Sequence, residues 1–196
     1  MIKNVYELVD ILIKNPVIAA VRDGDMLDRA LDSDPKVIFM LFGSIGELER
    51  QCVKLYNSSK LFFLHVDLID GLRPDPVGVR YIASAMKPTG IITTKGACVR
   101  MAHDSGLFAI QRVFMLDSSA LRSGAQNVVS CRPDLVEILP GVSEKVLSIA
   151  KQQFTLPLIA GGLINTKEDV YTALSAGVIA VSTSYEPLWC MDKASG

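Results

Sequence analysis

Two short apolar segments late in the chain each end in small residues that suit anion binding. Residues 156–160 lead into Gly161 and Gly162, and residues 178–181 lead into Ser182, Thr183 and Ser184. Glycine lets backbone N–H groups approach an anion closely, and serine and threonine hydroxyls add hydrogen-bond donors. The pattern therefore predicts an anion site wherever the two segments lie side by side. The alternative is a pair of tight strand-to-helix turns that bind nothing.

The elements that must position these residues alternate along the whole chain. Short, nearly continuous apolar runs predict strands buried on both faces, at residues 17–21, 37–41, 61–67, 90–93, 108–114, 135–139, 157–160 and 179–182. Amphipathic spacing predicts helices at residues 5–13, 46–57, 77–86 and 166–176, the last with Thr166 as N-cap.

This alternation predicts a compact α/β fold, a TIM-type (β/α)8 parallel barrel covering residues 1–196 as one domain. The helix before the first strand would plug the bottom of the barrel. A doubly wound open sheet is the competing topology. The chain is short for eight complete units, so we expect one unit to be degenerate.

A barrel would bring the two small-residue loops together as the loops after strands 7 and 8, the common phosphate site of this architecture. A helix beginning after Ser184 would also direct its positive end toward the anion. The sequence thus predicts that the chain binds a small phosphorylated molecule.

Other polar residues fall at the predicted carboxyl ends of strands, where barrel sites lie. Asp67 follows a very apolar strand and could bind substrate hydroxyls, act as a general base, or cap a loop. His65, two residues earlier, is either a ligand contact or an interior histidine. Lys95 suits anion neutralisation, although we favour an exposed loop lysine. Arg22 ends the first strand.

Gln111 and Arg112 lie within one apolar strand and must face opposite sides of it. One therefore points into the barrel and the other toward a helix. A buried arginine needs a carboxylate or phosphate partner. Glu137, in the next strand, could supply that carboxylate, either as a structural ion pair or as part of a functional site.

Composition and motifs exclude several classes of protein. The 196 residues are 49% hydrophobic, enough for a sizeable core, and the net charge of −1 gives no global field that attracts nucleic acid or membrane. No apolar run is long enough to span a membrane. The four cysteines form no C-x-x-C pair, which favours a reduced cytoplasmic protein without zinc. Nucleophile-elbow, P-loop and G-x-G-x-x-G motifs are absent, and we expect no metal and no cofactor.

Several strings, in order from residue 16 to residue 189, resemble the glycerol uptake operon antiterminator regulatory proteins. The most specific is HVDLIDG at residues 65–71, the counterpart of the HVDLI-x-G signature of that family. The others are PVIAAVR (16–22), KPTGIITT (87–94), AIQRVF (109–114), EILPG (137–141), AGGLI (160–164), TKEDV (166–170), AVSTS (180–184) and LW (188–189).

This resemblance implies a TIM-type barrel with glycerol 3-phosphate as its effector, and a regulator rather than an enzyme. Such proteins are expected to bind the leader mRNA of glycerol-utilisation genes and to prevent premature termination of transcription. Carried onto this chain, the phosphate would lie on Gly162 and residues 182–184. The glycerol hydroxyls would meet Asp67, Gln111, Arg112 or Glu137.

Two further hypotheses accompany this one. The same barrel could be an enzyme acting on a sugar phosphate, of isomerase, epimerase or aldolase type, because most such barrels are enzymes. It could also be a binding module with neither activity. The lysines and arginines are scattered over several units, and they form an RNA-binding face only if the fold brings them together on one side. Apolar residues at 185–189 would either form a homodimer interface or cover the end of the barrel.

Overall fold

Eight parallel strands close into a barrel whose spatial order follows the chain, with the last strand paired to the first. The computed structural model describes residues 2–195 and the side chains of residues 2–190, so Met1 and Gly196 lie outside it. The strands are β1 (Val17–Val21), β2 (Val37–Met40), β3 (Leu61–His65), β4 (Gly90–Thr93), β5 (Phe108–Phe114), β6 (Leu135–Leu139), β7 (Leu158–Gly161) and β8 (Ala180–Thr183). The TIM-type barrel is confirmed, and the open sheet is wrong.

Helices connect the strands on the outside of the barrel. They are α1 (Val5–Lys14), α2 (Gly24–Leu31), α3 (Leu48–Tyr56), α4 (Pro76–Tyr81), α5 (Gly96–Asp104), α6 (Ser118–Cys131), α7 (Glu144–Gln153) and α8 (Lys167–Ser175). Thr166 caps α8 as predicted, in a reciprocal capping box with Asp169. Within the described part of the chain, none of these helices combines the length and the apolar character needed to cross a membrane.

The eighth unit is the degenerate one. A helix does follow Ser184, but it is a 3₁₀ helix over Glu186–Ser195, and its backbone leaves helical geometry at Cys190. The aligned peptide dipoles of a regular α-helix are therefore not available at the loop after β8. Leu188 and Trp189 are buried against the core, so these two side chains are not open to a dimer interface.

Most predicted boundaries are correct to within one residue, and the third strand shows the clearest difference. It ends at His65 rather than Asp67, because residues 66–68 turn into a short 3₁₀ helix. The predicted helix over residues 77–86 exists but changes character, since α4 passes into a π-helix over Ile82–Met86.

Helix α1 closes the bottom of the barrel, as predicted. Its Leu8 and Leu12 are fully buried and pack with interior side chains of the barrel, among them Ile18 and Phe63. Asn4 caps the helix by accepting a hydrogen bond from the N–H of Glu7.

The interior of the barrel changes from apolar to polar toward the carboxyl ends of several strands. Side chains two residues apart share a face of a strand, and Ile110, Leu135 and Ala180 belong to the interior cluster. The next inward positions on these strands are Arg112, Glu137 and Ser182, all buried. The strands thus place a polar layer directly beneath the open mouth.

Candidate functional site

The carboxyl ends of the strands open into a cavity of about 360 Å³ on the β7–β8 side of the mouth. Six of the nine residues proposed from the sequence line it. The lining residues are Ala20, Arg22, Leu41, Arg112, Glu137, Leu139, Gly162, Leu163, Ile164, Asn165, Ser182, Thr183, Ser184 and Tyr185. The loops after the last two strands therefore meet at one site, as the sequence predicted.

The loop after β7 makes a tight left-handed turn at the cavity wall. Gly162 has a φ of +81° and Leu163 a φ of +63°. Non-glycine residues rarely adopt this region, and a leucine there carries local strain. A Cβ on Gly162 would also lie 3.4 Å from the side chain of Leu139. This turn depends on glycine at position 162 and exposes main chain next to the cavity.

The loop after β8 is fastened to the loop after β7 by Thr183. Its hydroxyl donates a hydrogen bond of 2.6 Å to the carbonyl oxygen of Ile164 and accepts one of 3.0 Å from the N–H of Tyr185. The carbonyl oxygen of Thr183 accepts a further bond from the indole of Trp189. The Thr183 side chain thus holds the loops in place, and the neighbouring Ser184 lines the cavity.

Arg112, Glu137 and Ser182 form a buried network at the floor of the cavity. Arg112 Nε donates to Glu137 Oε2 at 2.7 Å, and Ser182 Oγ donates to Glu137 Oε1 at 2.6 Å. Arg112 is 9% exposed and Glu137 1% exposed. The ion pair inferred from the sequence is present, and both oxygens of the carboxylate are occupied.

Gly161 makes room for this network and does not line the cavity. A Cβ at position 161 would lie 2.6 Å from Glu137 Oε1 and 2.7 Å from Ser182 Oγ. Real Cβ atoms do not approach oxygen so closely, so the buried carboxylate requires glycine opposite it.

Arg22 adds a second cation at the cavity. It follows β1, lines the cavity and is exposed. Among the described residues it has no ion-pair partner. Its position at a strand end was visible in the sequence, but the expected set of contacts omitted it. With Arg112 and Glu137, the lining carries two cations and one carboxylate.

Gln111 faces away from the cavity, while Arg112 of the same strand points inward. The Gln111 carbonyl oxygen accepts from Cys131 Sγ of α6 at 2.7 Å, and its amide nitrogen donates to the carbonyl oxygen of Thr94. The alternation of the strand predicted that one of the two residues would turn outward. It is Gln111, which joins β5 to its covering helix.

Asp67 and Lys95 belong to the opposite side of the mouth and lie outside the cavity lining. Asp67 Oδ1 accepts from Thr93 Oγ1 at 2.7 Å, and its Oδ2 accepts from the N–H and the hydroxyl of Thr94 at 2.7 and 2.8 Å. Lys95 is exposed and donates to the carbonyl oxygen of Pro74. Of the roles considered for Asp67, the structure shows the loop cap.

The loops after β2 and β3 are joined in a similar way. Ser44 and Asp70 form an isolated parallel bridge, in which Ile45 N–H donates to Asp70 and Asp70 N–H donates to Gly43. This side of the mouth is therefore a hydrogen-bonded wall, whereas the β7–β8 side forms the cavity.

His65 is buried in the polar layer of the barrel and is 2% exposed. Its Nδ1 has no hydrogen-bond partner in the described chain. Burial, together with the positive charge of Arg112, lowers the pKa of His65 to about 4. The ring is therefore neutral at physiological pH.

No group of three or more His, Cys, Asp or Glu side chains suited to holding a metal ion occurs among the described residues. What the cavity offers is a glycine turn, serine hydroxyls and two arginines. This donor set can bind a small anion that also carries hydroxyl groups.

Comparisons with known proteins place the chain in one family. A family model described as glycerol-3-phosphate responsive antiterminator matches residues 17–189. A solved glycerol uptake operon antiterminator regulatory protein from Listeria monocytogenes superimposes with a TM-score of 0.86 at 34% identity, covering 88% of this chain and 94% of that one. An antiterminator-related protein from Thermotoga maritima gives a TM-score of 0.77 at 30% identity, covering 89% and 98%. An uncharacterized Escherichia coli (strain K12) protein, YgcP, is 38% identical over 186 residues, which are 95% of this chain and 97% of that protein.

Proposed function

Since this chain belongs to the glycerol-3-phosphate responsive antiterminator family, we propose that it is a cytoplasmic regulator whose effector is glycerol 3-phosphate. Loaded with effector, it binds the leader mRNA of glycerol-utilisation genes and prevents premature termination of transcription. The family supports the regulatory role, and the cavity supports the effector.

The observation that carries the effector proposal is the joined pair of loops at the β7–β8 side of the cavity. In our proposal the phosphate lies against the backbone of Gly162 and Leu163, with Ser184 and Arg22 as further donors. The left-handed turn brings main chain to the cavity wall, and Thr183 ties it to the next loop. Guanidinium is well matched to phosphate oxygens, so Arg22 would supply charge without a metal.

The glycerol portion would extend from the phosphate toward the floor of the cavity. Arg112 lines the cavity and can donate hydrogen bonds to hydroxyl groups there. Only its Nε donates to Glu137, so its two terminal nitrogens are free to do so. Asp67 and Gln111 have other hydrogen-bond partners outside the cavity. We therefore assign the hydroxyl contacts to Arg112 and give Asp67 and Gln111 supporting roles in the loops.

The alternative of a sugar-phosphate enzyme receives less support from the lining. None of the described residues around the cavity is a lysine that could form a Schiff base. The one carboxylate there, Glu137, is 1% exposed and paired with Arg112, which places it poorly for taking a proton from a substrate. The lining is equipped to hold an anion more than to move protons.

Calorimetric titration with glycerol 3-phosphate tests the effector, with glycerol and inorganic phosphate as controls. We expect binding to glycerol 3-phosphate at least tenfold tighter than to phosphate, and none to glycerol, because both halves of the ligand have contacts. The matched variant Arg22→Met should weaken the binding of glycerol 3-phosphate and of inorganic phosphate by a similar factor. Equal affinity for phosphate and glycerol 3-phosphate would contradict the assignment.

A gel-shift experiment with leader RNA tests the regulatory half. Thermodynamic linkage requires that an effector which strengthens RNA binding is itself bound more tightly in the RNA complex, by the same factor. We expect retention of the RNA only with glycerol 3-phosphate present. Turnover of triose or pentose phosphates, with no effect on RNA, would instead establish the enzyme.

A further inference from the structure

Glu137 looks at first like a ligand contact, since it lines the cavity and is a carboxylate. Its surroundings argue against direct contact. It is 1% exposed, and its two oxygens accept from Arg112 Nε and Ser182 Oγ at 2.7 and 2.6 Å. Each oxygen could accept a second bond, but at 1% exposure the carboxylate leaves a ligand hydroxyl little room to reach it.

Arg112 presents the complementary arrangement. It is almost fully buried, yet its one hydrogen bond to the described chain uses Nε and leaves the two terminal nitrogens without a partner. A carboxylate usually grips arginine through two parallel bonds that include a terminal nitrogen. Here the carboxylate holds the guanidinium by its inner nitrogen, and the terminal nitrogens remain available at the cavity.

The structure provides space for this grip. Gly161 lies opposite the carboxylate, and a Cβ there would collide with Glu137 Oε1 and Ser182 Oγ. Ser182 fixes the second oxygen, so the carboxylate has little freedom to rotate. Holding two charges in so buried a place is costly, and such a pair often contributes little net stability.

We propose that Glu137 is a positioning residue that acts through Arg112 and does not touch the ligand. It holds the guanidinium with its terminal nitrogens toward the hydroxyl end of the effector, and so sets the preference for glycerol 3-phosphate over inorganic phosphate. This role rests on the proposed function of the cavity.

A double-mutant cycle tests the proposal, using calorimetry on Glu137→Gln, Arg112→Gln and the double variant. Glutamine has the shape of glutamate and keeps a donor and an acceptor, so the network can survive without the charge. We expect Glu137→Gln to weaken glycerol 3-phosphate about tenfold and Arg112→Gln about a hundredfold, the range for hydrogen bonds to charged groups. In the Arg112→Gln background, Glu137→Gln should change the affinity less than about twofold.

The affinity for inorganic phosphate distinguishes a positioning role from a merely structural one. A structural role of Glu137 would lower the affinities for phosphate and for glycerol 3-phosphate together. Because the phosphate is assigned to the loops after β7 and β8, Glu137→Gln should leave phosphate affinity within about twofold of the unsubstituted protein. Glu49→Gln, an exposed acid on α3, is the matched control and should change neither affinity. Thermal melting of all variants shows whether each is folded.

The outcomes separate the two proposals. Equal losses from Glu137→Gln in both backgrounds, or no loss in the unsubstituted background, would overturn the positioning role while leaving the effector site standing. A parallel loss of phosphate and glycerol 3-phosphate affinity would also overturn it. If the unsubstituted protein binds phosphate and glycerol 3-phosphate equally, the proposed function fails, and the positioning role fails with it.

Discussion

The hydroxyl of Thr183 lies 2.6 Å from the carbonyl oxygen of Ile164 and joins the two loops that frame the cavity. One loop follows β7 and the other follows β8, and the same hydroxyl accepts from Tyr185 N–H. The proposed anion site is thus one hydrogen-bonded unit. Its geometry depends on a side chain that has no hydrogen bond left to give a ligand.

Thr183→Val should weaken glycerol 3-phosphate binding about five- to tenfold. Valine has nearly the same shape, but it leaves the Ile164 carbonyl and the Tyr185 N–H without their partner. Thr183→Ser keeps the hydroxyl and is the matched control, with affinity close to that of the unsubstituted protein. Titration of both variants measures the difference, and unchanged affinity in Thr183→Val would show that the link is dispensable.

Gly162→Ala should reduce glycerol 3-phosphate affinity about tenfold or more. Alanine at a φ of +81° is strained by roughly 1–2 kcal/mol, and its Cβ meets Leu139. The turn would relax away from the cavity, and a bulkier residue should abolish binding. Gly46→Ala is the control, because a Cβ there meets nothing within 4 Å. A folded Gly162→Ala protein with full affinity would sink the assignment of the phosphate to this loop.

Asp67→Asn should destabilise the protein by about 1–3 kcal/mol while changing effector affinity less than twofold. The new amide nitrogen would replace one oxygen that accepts from Thr93 or Thr94, so at least one of these part-buried donors would lose its acceptor. Asp70→Asn, at an exposed side chain of the same segment, is the control. Urea unfolding and titration check the two quantities. A large loss of affinity with normal stability would restore Asp67 as a ligand contact.

His65 should make the protein less stable as the pH falls from about 6.5 to about 4. The unfolded chain takes up a proton near 6.5, whereas burial and Arg112 lower the pKa of His65 in the folded protein to about 4. The unfolded state therefore binds more protons in this interval, and the free energy of unfolding falls by up to ~3 kcal/mol.

The measurement is urea unfolding at several pH values for the unsubstituted protein and for His65→Gln. Carboxylates titrate in the same interval in both proteins, so the difference between the two slopes isolates His65. Parallel pH profiles would contradict the prediction.

The barrel could be predicted from sequence because its strands are almost purely apolar and regularly spaced. The joining of the Gly162 and Ser184 loops followed from strand order alone. For Arg112 and Gln111 the sequence predicted only that their side chains lie on opposite faces of β5. It did not predict which of the two points into the barrel. Packing decides it, because Cys131 Sγ on α6 donates a hydrogen bond to Gln111 Oε1 on the outer face of the strand.

The roles of Asp67 and Glu137 could not be predicted from the sequence, for a different reason. Both are acids at strand ends, where a ligand contact and an internal acceptor look alike. Their partners, Thr94 and Ser182, are distant along the chain and become neighbours only when the barrel closes. The same closure brings Arg22 to the cavity from the other end of the sequence.

The plug formed by α1 has a kinetic consequence. With Leu8 and Leu12 filling the lower end of the barrel, the proposed effector would enter and leave only through the mouth. Any large partner seated over that mouth would then have to depart first. The lifetime of the loaded complex would then be set by the dissociation rate of the partner. After the free effector concentration had fallen, the bound effector would stay in the cavity until that partner left.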